Sequence, residues 1–361
     1  MFLKNKMKKT NILISFIVAF LFIAYFSSDT KFDELAFGQQ TTAYYAKDNK
    51  KNELLHFSKI SDYLINIDSL KNKILFFGNS QTHSINQIKQ NQKNYVELIN
   101  EKIGNVSSYT LANGNLMEFC ISLNYITQKF KIDKLIIPLF MDDLRESEIR
   151  ADIKNHYKNN PISLEFNDNS LSEYIKNEIS YDKVTNKQSE GEKHWTTQDY
   201  SEELFNNYLN EYSFWNRREN IRGEFFIFLY KLRNTIFNIK PQSIRPMIKQ
   251  NYDLNFTALK RIISICNNYK IKLYLYIPPI RNDVSIPYDL NEYYEFKNQV
   301  IELVSPNKKN VFYNDFDTIV PGEHWGLKDA TNLIDKYELD FMHFNYNGHI
   351  LLSEKLLKFI Q

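Results

Sequence analysis

From Lys73 onward, short apolar runs of β-prone residues alternate with longer amphipathic stretches, and this alternation constrains the fold more than anything else in the chain. Strands separated by helices of this length build a parallel sheet with helices on both faces. Five such runs are expected, at residues 73–78, 106–112, 133–140, 272–277 and 311–313. Helices are expected from Ser80 through about Ile103, then over residues 116–130, 254–269, 290–304 and 350–360. Residues 150–250 break the rhythm: they are polar, rich in Asn, Glu and Tyr, and carry aromatic helical patches such as residues 225–232. They read as a mostly helical insertion over the carboxyl edge of the sheet, where open α/β sheets bind ligands. A helical decoration with no substrate role is the plainer alternative.

The five strands fit a three-layer, flavodoxin-like α/β/α domain over residues 71–361. Ahead of it, Lys4, Lys6, Lys8 and Lys9 precede an uncharged run at residues 11–28 whose centre is almost wholly apolar. That centre, residues 12–26, is short beside the ~17 to 25 residues of a spanning helix, and the run reads as a membrane segment or a signal peptide. Ala24-Tyr25-Phe26 offers no small residue at the second cleavage position, which favours an uncleaved anchor, residues 1–28. The preceding lysines put that end in the cytoplasm and everything after Asp29 outside. Residues 29–70 then read as a stalk, with one helix near residues 54–65.

With 45 Lys and Arg against 43 Asp and Glu, nothing in the balance suggests a nucleic-acid partner. Cys120 and Cys266 lie in apolar helical patterns and read most simply as buried thiols, a disulfide being the alternative.

The first strand ends in the sequence KILFFGNSQTHS. Its apolar run stops at Gly78 and Asn79, and Ser80 follows where the carboxyl end of a strand meets the start of a helix. Backbone N–H groups at such a corner are unpaired and suited to an anion. Ser80 can therefore be a nucleophile whose developing oxyanion is held by its own N–H, or simply a helix cap.

Near the carboxyl terminus stands DFMHFNYNGH, residues 340–349. An aspartate three residues before a histidine on an irregular segment can reach the imidazole Nδ1, fix its tautomer and stabilise the imidazolium. Asp340 and His343 fit that role; a helix cap and a surface histidine are the bland reading. Asn345 reads as the cap of the closing helix.

Together these features resemble the SGNH or GDSL hydrolase superfamily over about residues 73–361. The resemblance matches Gly78-Asn79-Ser80 to the nucleophile block, with Asn79 in place of the usual Asp. It implies that Gly114, after the second strand, joins Ser80 in the oxyanion hole, and that Asp340 and His343 complete a Ser-His-Asp triad. The third block departs from the pattern: residues 138–143 read PLFMDD, without the asparagine that usually donates to the oxyanion. Losing such a donor costs about 3 to 4 kcal/mol in a protease comparison. Similar chains tethered to membranes handle O-acyl groups of envelope glycans.

The sequence reading is therefore an extracytoplasmic serine esterase or O-acyltransferase acting on an acylated glycan or other ester. It needs no cofactor, and envelope biosynthesis proteins are expected partners. The rival is a non-catalytic binding or assembly subunit of an envelope polysaccharide pathway. His324, His343 and His349 invite a metal reading, but no pair has the spacing of a zinc site. Trp195, Trp215 and Trp325 could stack on sugar rings or serve as packing.

Overall fold

The computed structural model describes residues 55–70, 74–83, 87–89, 92–111, 113–160, 169–180, 197–212 and 216–361, together with Ser15. The apolar run at residues 11–28, apart from Ser15, and Trp195 and Trp215 lie outside the described residues. No described helix is long and apolar enough to cross a membrane.

Successive side chains of a strand point to opposite faces, so a doubly covered strand divides its apolar residues between two cores. Leu75, Phe77, Leu135, Ile137, Leu273 and Leu275 belong to one buried cluster. Their neighbours Phe76, Ile136, Tyr274 and Tyr276 belong to another. The sheet between them consists of β1 (Leu55–Phe57), β2 (Ile74–Gly78), β3 (Val106–Thr110), β4 (Lys134–Pro138), β5 (Lys272–Ile277) and β6 (Val311–Asp315). All pairs are parallel and the spatial order is β1-β3-β2-β4-β5-β6. From β2 onward this is the doubly wound order 2-1-3-4-5, whose direction reverses at β2.

The helices, in chain order, are α1 (Ile60–Leu70), α2 (Ser80–His83), α3 (Tyr95–Ile103), α4 (Leu116–Lys129), α5 (Ala151–Asn159), α6 (Asn169–Ser180), α7 (Thr197–Asn210), α8 (Arg218–Ile236), α9 (Lys249–Tyr269), α10 (Leu290–Val304) and α11 (Tyr346–Ile360). Buried residues of α1, α4, α9 and α10 cover one face of the sheet. Those of α3 and α11 cover the other. Cys120 on α4 and Cys266 on α9 are buried, unbonded thiols. Burial pushes the Cys120 thiol up to about 12, so it is inert packing material.

Three expectations are corrected. The long helix after Ser80 is two pieces, because Asn94 starts a new helix: its side chain accepts from Val96 and Glu97 N–H while Glu97 returns a bond to the Asn94 N–H. Residues 55–70 belong to the folded domain rather than to a stalk, since β1 pairs with β3 and Ile60, Tyr63 and Leu64 are buried. The segment holding Asp340 and His343 is not a loose connection. It is strand β8 (Tyr337–Phe344), paired antiparallel with β7 (Trp325–Asp329) in a separate two-stranded ribbon.

The chain divides into two compact units. The one just described holds Thr41–Val184, Lys240–Ala330 and Asp335–Gln361. The other comprises Met1–Gln40, Thr185–Ile239 and Thr331–Ile334. Within the latter, the buried Asn234 of α8 donates its amide to the Thr331 carbonyl at 2.9 Å. Of the expected insertion, α5 and α6 pack on the main core through Ile153, Leu171 and Ile175.

Candidate active site

The turn after β2 needs a glycine: a Cβ on Gly78 would lie 2.2 Å from Thr82 Oγ1 and 2.9 Å from Thr110 Oγ1. That close approach lets α2 fold back directly over the strand end, with Ser80 as its first residue. As the first residue of a helical turn, Ser80 has no acceptor one turn back for its N–H.

The neighbours of Ser80 fasten the turn on three sides. Asn79 is buried; its Oδ1 accepts the Gln81 N–H at 3.1 Å and its Nδ2 donates to Asp143 Oδ2 at 3.3 Å. Gln81 donates to the Pro279 carbonyl beyond β5 at 2.7 Å. Thr82 Oγ1 meets the Tyr95 hydroxyl at 2.8 Å, which in turn meets the Tyr276 hydroxyl at 3.2 Å. Ser80, with none of these side-chain bonds, lines the cavity.

The imidazole comes from the ribbon. Trp325 pairs with Phe344 and Leu327 with Leu339, so Gly326 alone stands opposite the four residues Asp340–His343. Such a bulge re-aims side chains. Within it, Asp340 Oδ1 accepts the N–H groups of Met342 at 2.9 Å and His343 at 3.0 Å. The His343 Nδ1 lies 2.9 Å from Asp340 Oδ2 and 3.1 Å from Oδ1. Gln87 adds a donor to Oδ2 at 3.3 Å. Burial opposes the charge on Asp340, but His343 and these N–H groups outweigh it and hold the carboxyl below the usual range. An ionised partner on Nδ1 makes that nitrogen the protonated one and leaves Nε2 as the basic nitrogen. His343 Nε2 is buried and has no hydrogen-bond partner among the described residues.

The ribbon is held by two devices. Arg281 donates through Nη1 to the Gly326 carbonyl at 3.0 Å and through its backbone N–H to the Phe341 carbonyl at 3.2 Å, so it grips both strands. Its own charge is met by Asp283 at 2.8 Å. Trp325 donates its indole N–H to the Val320 carbonyl and sets its ring edge on Phe344. Trp325 is therefore packing, not a sugar platform.

Ser80, His343 and Asp340 all line one cavity of about 180 Å³ at the carboxyl ends of the central strands. Asn79, Asn113, Phe140, Asp142, Asp143 and Arg245 line it too. No hydrogen bond joins Ser80 Oγ to His343. Gly114, expected as the second oxyanion donor, has its N–H engaged by the Leu111 carbonyl at 2.9 Å. The tight turn over residues 111–114, with Asn113 in the left-handed region at φ 53°, uses that donor and presents Asn113 to the cavity instead. Asn113, Arg245 and Gln87 were not singled out from the sequence; only the polar Asn-Gly-Asn turn after the second strand hinted at the first.

His349 is a core residue. It accepts the Tyr95 N–H on Nδ1 at 3.2 Å and stacks on the Tyr95 ring. Among the described residues no three His, Cys, Asp or Glu side chains converge in a way that could hold a metal ion.

No protein-family model matches the chain, and no curated protein does. Among solved structures it is similar to one described as "a putative platelet activating factor from Streptococcus pneumonia". The two are 13% identical, with a TM-score of 0.38 over 84% of this chain and 91% of the other.

Proposed function

We propose that this chain is a serine acyl-ester enzyme of the SGNH or GDSL kind, an esterase or O-acyltransferase working on O-acyl groups of cell-envelope glycans outside the cytoplasm. The observation that carries the reading is the buried Asp340 carboxylate on His343 Nδ1, with the opposite nitrogen unpartnered and Ser80 on the same cavity. Ser80 Oγ attacks the ester carbonyl carbon while its proton passes to His343 Nε2, and Asp340 stabilises the imidazolium. The tetrahedral intermediate collapses, the alcohol leaves with that proton, and an acyl-serine remains. Water then gives an esterase and a sugar hydroxyl a transferase. The open Ser80–His343 contact is in keeping with catalytic hydrogen bonds that tighten only around substrate.

The cavity is smaller than the ~300 to 1,000 Å³ of pockets that enclose a whole small molecule. It suits a short acyl group, with the glycan held outside it. The membrane location rests on the lysine-flanked apolar run at residues 11–28.

A non-catalytic binding subunit is the second reading, favoured by the engaged Gly114 N–H and the unmade Ser80–His343 bond. Both are tested by giving the full chain p-nitrophenyl acetate with and without an oligosaccharide acceptor. The enzyme reading expects turnover that Ser80→Ala and His343→Ala abolish, with acetylated sugar marking transfer. Sugar binding without any Ser80-dependent turnover would leave the binding subunit.

A further inference from the structure

Two aspartates follow one another after β4, and their surroundings are opposite. Asp142 is met by Arg245 at 2.6 Å and by Arg145 at 3.5 Å. Asp143, 9% exposed, has no cation against it among the described residues; its partner is the Asn79 carboxamide. The other cavity-lining cation, Lys328, is paired with Glu338 at 3.1 Å. Burial first, and then the negative charges of Asp142 on the same turn, Glu146 just beyond it and Glu118 on α4, push the Asp143 carboxyl well above the usual carboxylate range; the Asn79 bond opposes this without reversing it. The Tyr288 phenol, also close by, is held neutral by its own burial. A buried carboxyl held neutral can take a role that an ion-paired neighbour cannot.

Attack by Ser80 on an ester carbonyl creates an oxyanion that needs preorganised donors. The Ser80 N–H is one, and the Gly114 N–H is engaged elsewhere. We propose that Asp143 acts as a neutral carboxylic acid and supplies a missing oxyanion donor: Oδ2 accepts from Asn79, and the hydroxyl on the other oxygen donates into the cavity. Because Asn79 precedes Ser80 directly, the same bond ties the donor to the nucleophile turn. The inference rests on the acyl-ester reading of Ser80, and it makes the enzyme need one aspartate ionised, Asp340, and another protonated.

The test compares Asp143→Asn and Asp143→Ala with the native full chain over a pH series, using p-nitrophenyl acetate and confirming each fold by circular dichroism. Asp143→Asn keeps a donor; it is expected to hold kcat within a few-fold and to lose the alkaline decline that ionisation of Asp143 gives the native enzyme. Asp143→Ala is expected to lose about 10²- to 10³-fold in kcat, as for other lost oxyanion donors. A folded Asp143→Asn as inactive as Asp143→Ala, beside native turnover that needs Ser80, overturns this inference and leaves the acyl-ester reading standing. Native turnover indifferent to Ser80→Ala overturns that reading first. A second measurement needs no substrate: carbon NMR of the carboxyl groups, with Asp143 assigned by difference from Asp143→Asn. Asp143 should remain protonated where exposed aspartates are ionised, and an ordinary titration near pH ~3.9 overturns the proposal whatever the activity.

Discussion

The two halves of the cavity are built on unequal supports. Ser80 sits at the end of β2, in the middle of a six-stranded sheet buried on both faces and fastened through Asn79, Gln81 and Thr82. Asp340 and His343 sit on a two-stranded ribbon outside that sheet. An isolated two-stranded ribbon is marginal in water, so its geometry depends on what grips it: Arg281, Trp325 and the buried rings of Phe341 and Phe344. The Ser80 side is thus fixed by the core of the fold, and the His343 side by a few contacts that could be loosened without unfolding the sheet.

The largest expected effect breaks the ribbon side at one atom. Asp340→Asn should leave the bulge intact yet present the wrong tautomer of His343, lowering kcat by ~10⁴ as in the serine-protease precedent. Full activity would mean that another group orients the imidazole. Next, Trp325→Ala removes a buried ring from the ribbon and should cost about 3 to 5 kcal/mol. Thermal unfolding and kcat measured together sharpen the contrast: kcat should fall even below the melting transition, because His343 loses its placement before the sheet melts. An unchanged kcat in the folded variant would show that the ribbon does not need this grip.

The effect on stability at neutral pH is smallest at His349, whose signature is a pH dependence. Burial, with the nearby charge of His343 second, lowers His349 from 6.5 to about 3. Between those values the unfolded chain binds a proton that the folded chain does not, so stability falls as pH falls across that window, by at most about 1.4 kcal/mol per pH unit from this group. Denaturant unfolding at several pH values should show a shallower acid slope in His349→Gln. An equal slope would place the acid sensitivity elsewhere.

Five of the six strands were legible because doubly buried strands are short apolar runs and because β2 ends on a glycine followed by polar turn residues; the three-residue β1 was not. The same clarity brought forward Ser80, Asp340 and His343, which line one cavity, and the Asn345 cap, whose side chain accepts the Asn347 N–H at 3.0 Å. The ribbon was not legible: residues 325–329, WGLKD, have no long β-prone run, and their pairing with β8 depends on contacts with Val320 and Arg281. Nor could the sequence separate Gly114 from Asn113, since a turn of one residue more or less decides whether an N–H or a carboxamide meets the cavity. Asp142 and Asp143 are identical in sequence, and only their burial and partners distinguish them.

The proposed activation of Ser80 by His343 is tested most directly by labelling the full chain with a fluorophosphonate serine probe. Rapid labelling is expected of the native protein at Ser80, none in Ser80→Ala, and labelling slowed by orders of magnitude in His343→Ala. A native protein that stays unlabelled, or labelling that persists in Ser80→Ala, would contradict it.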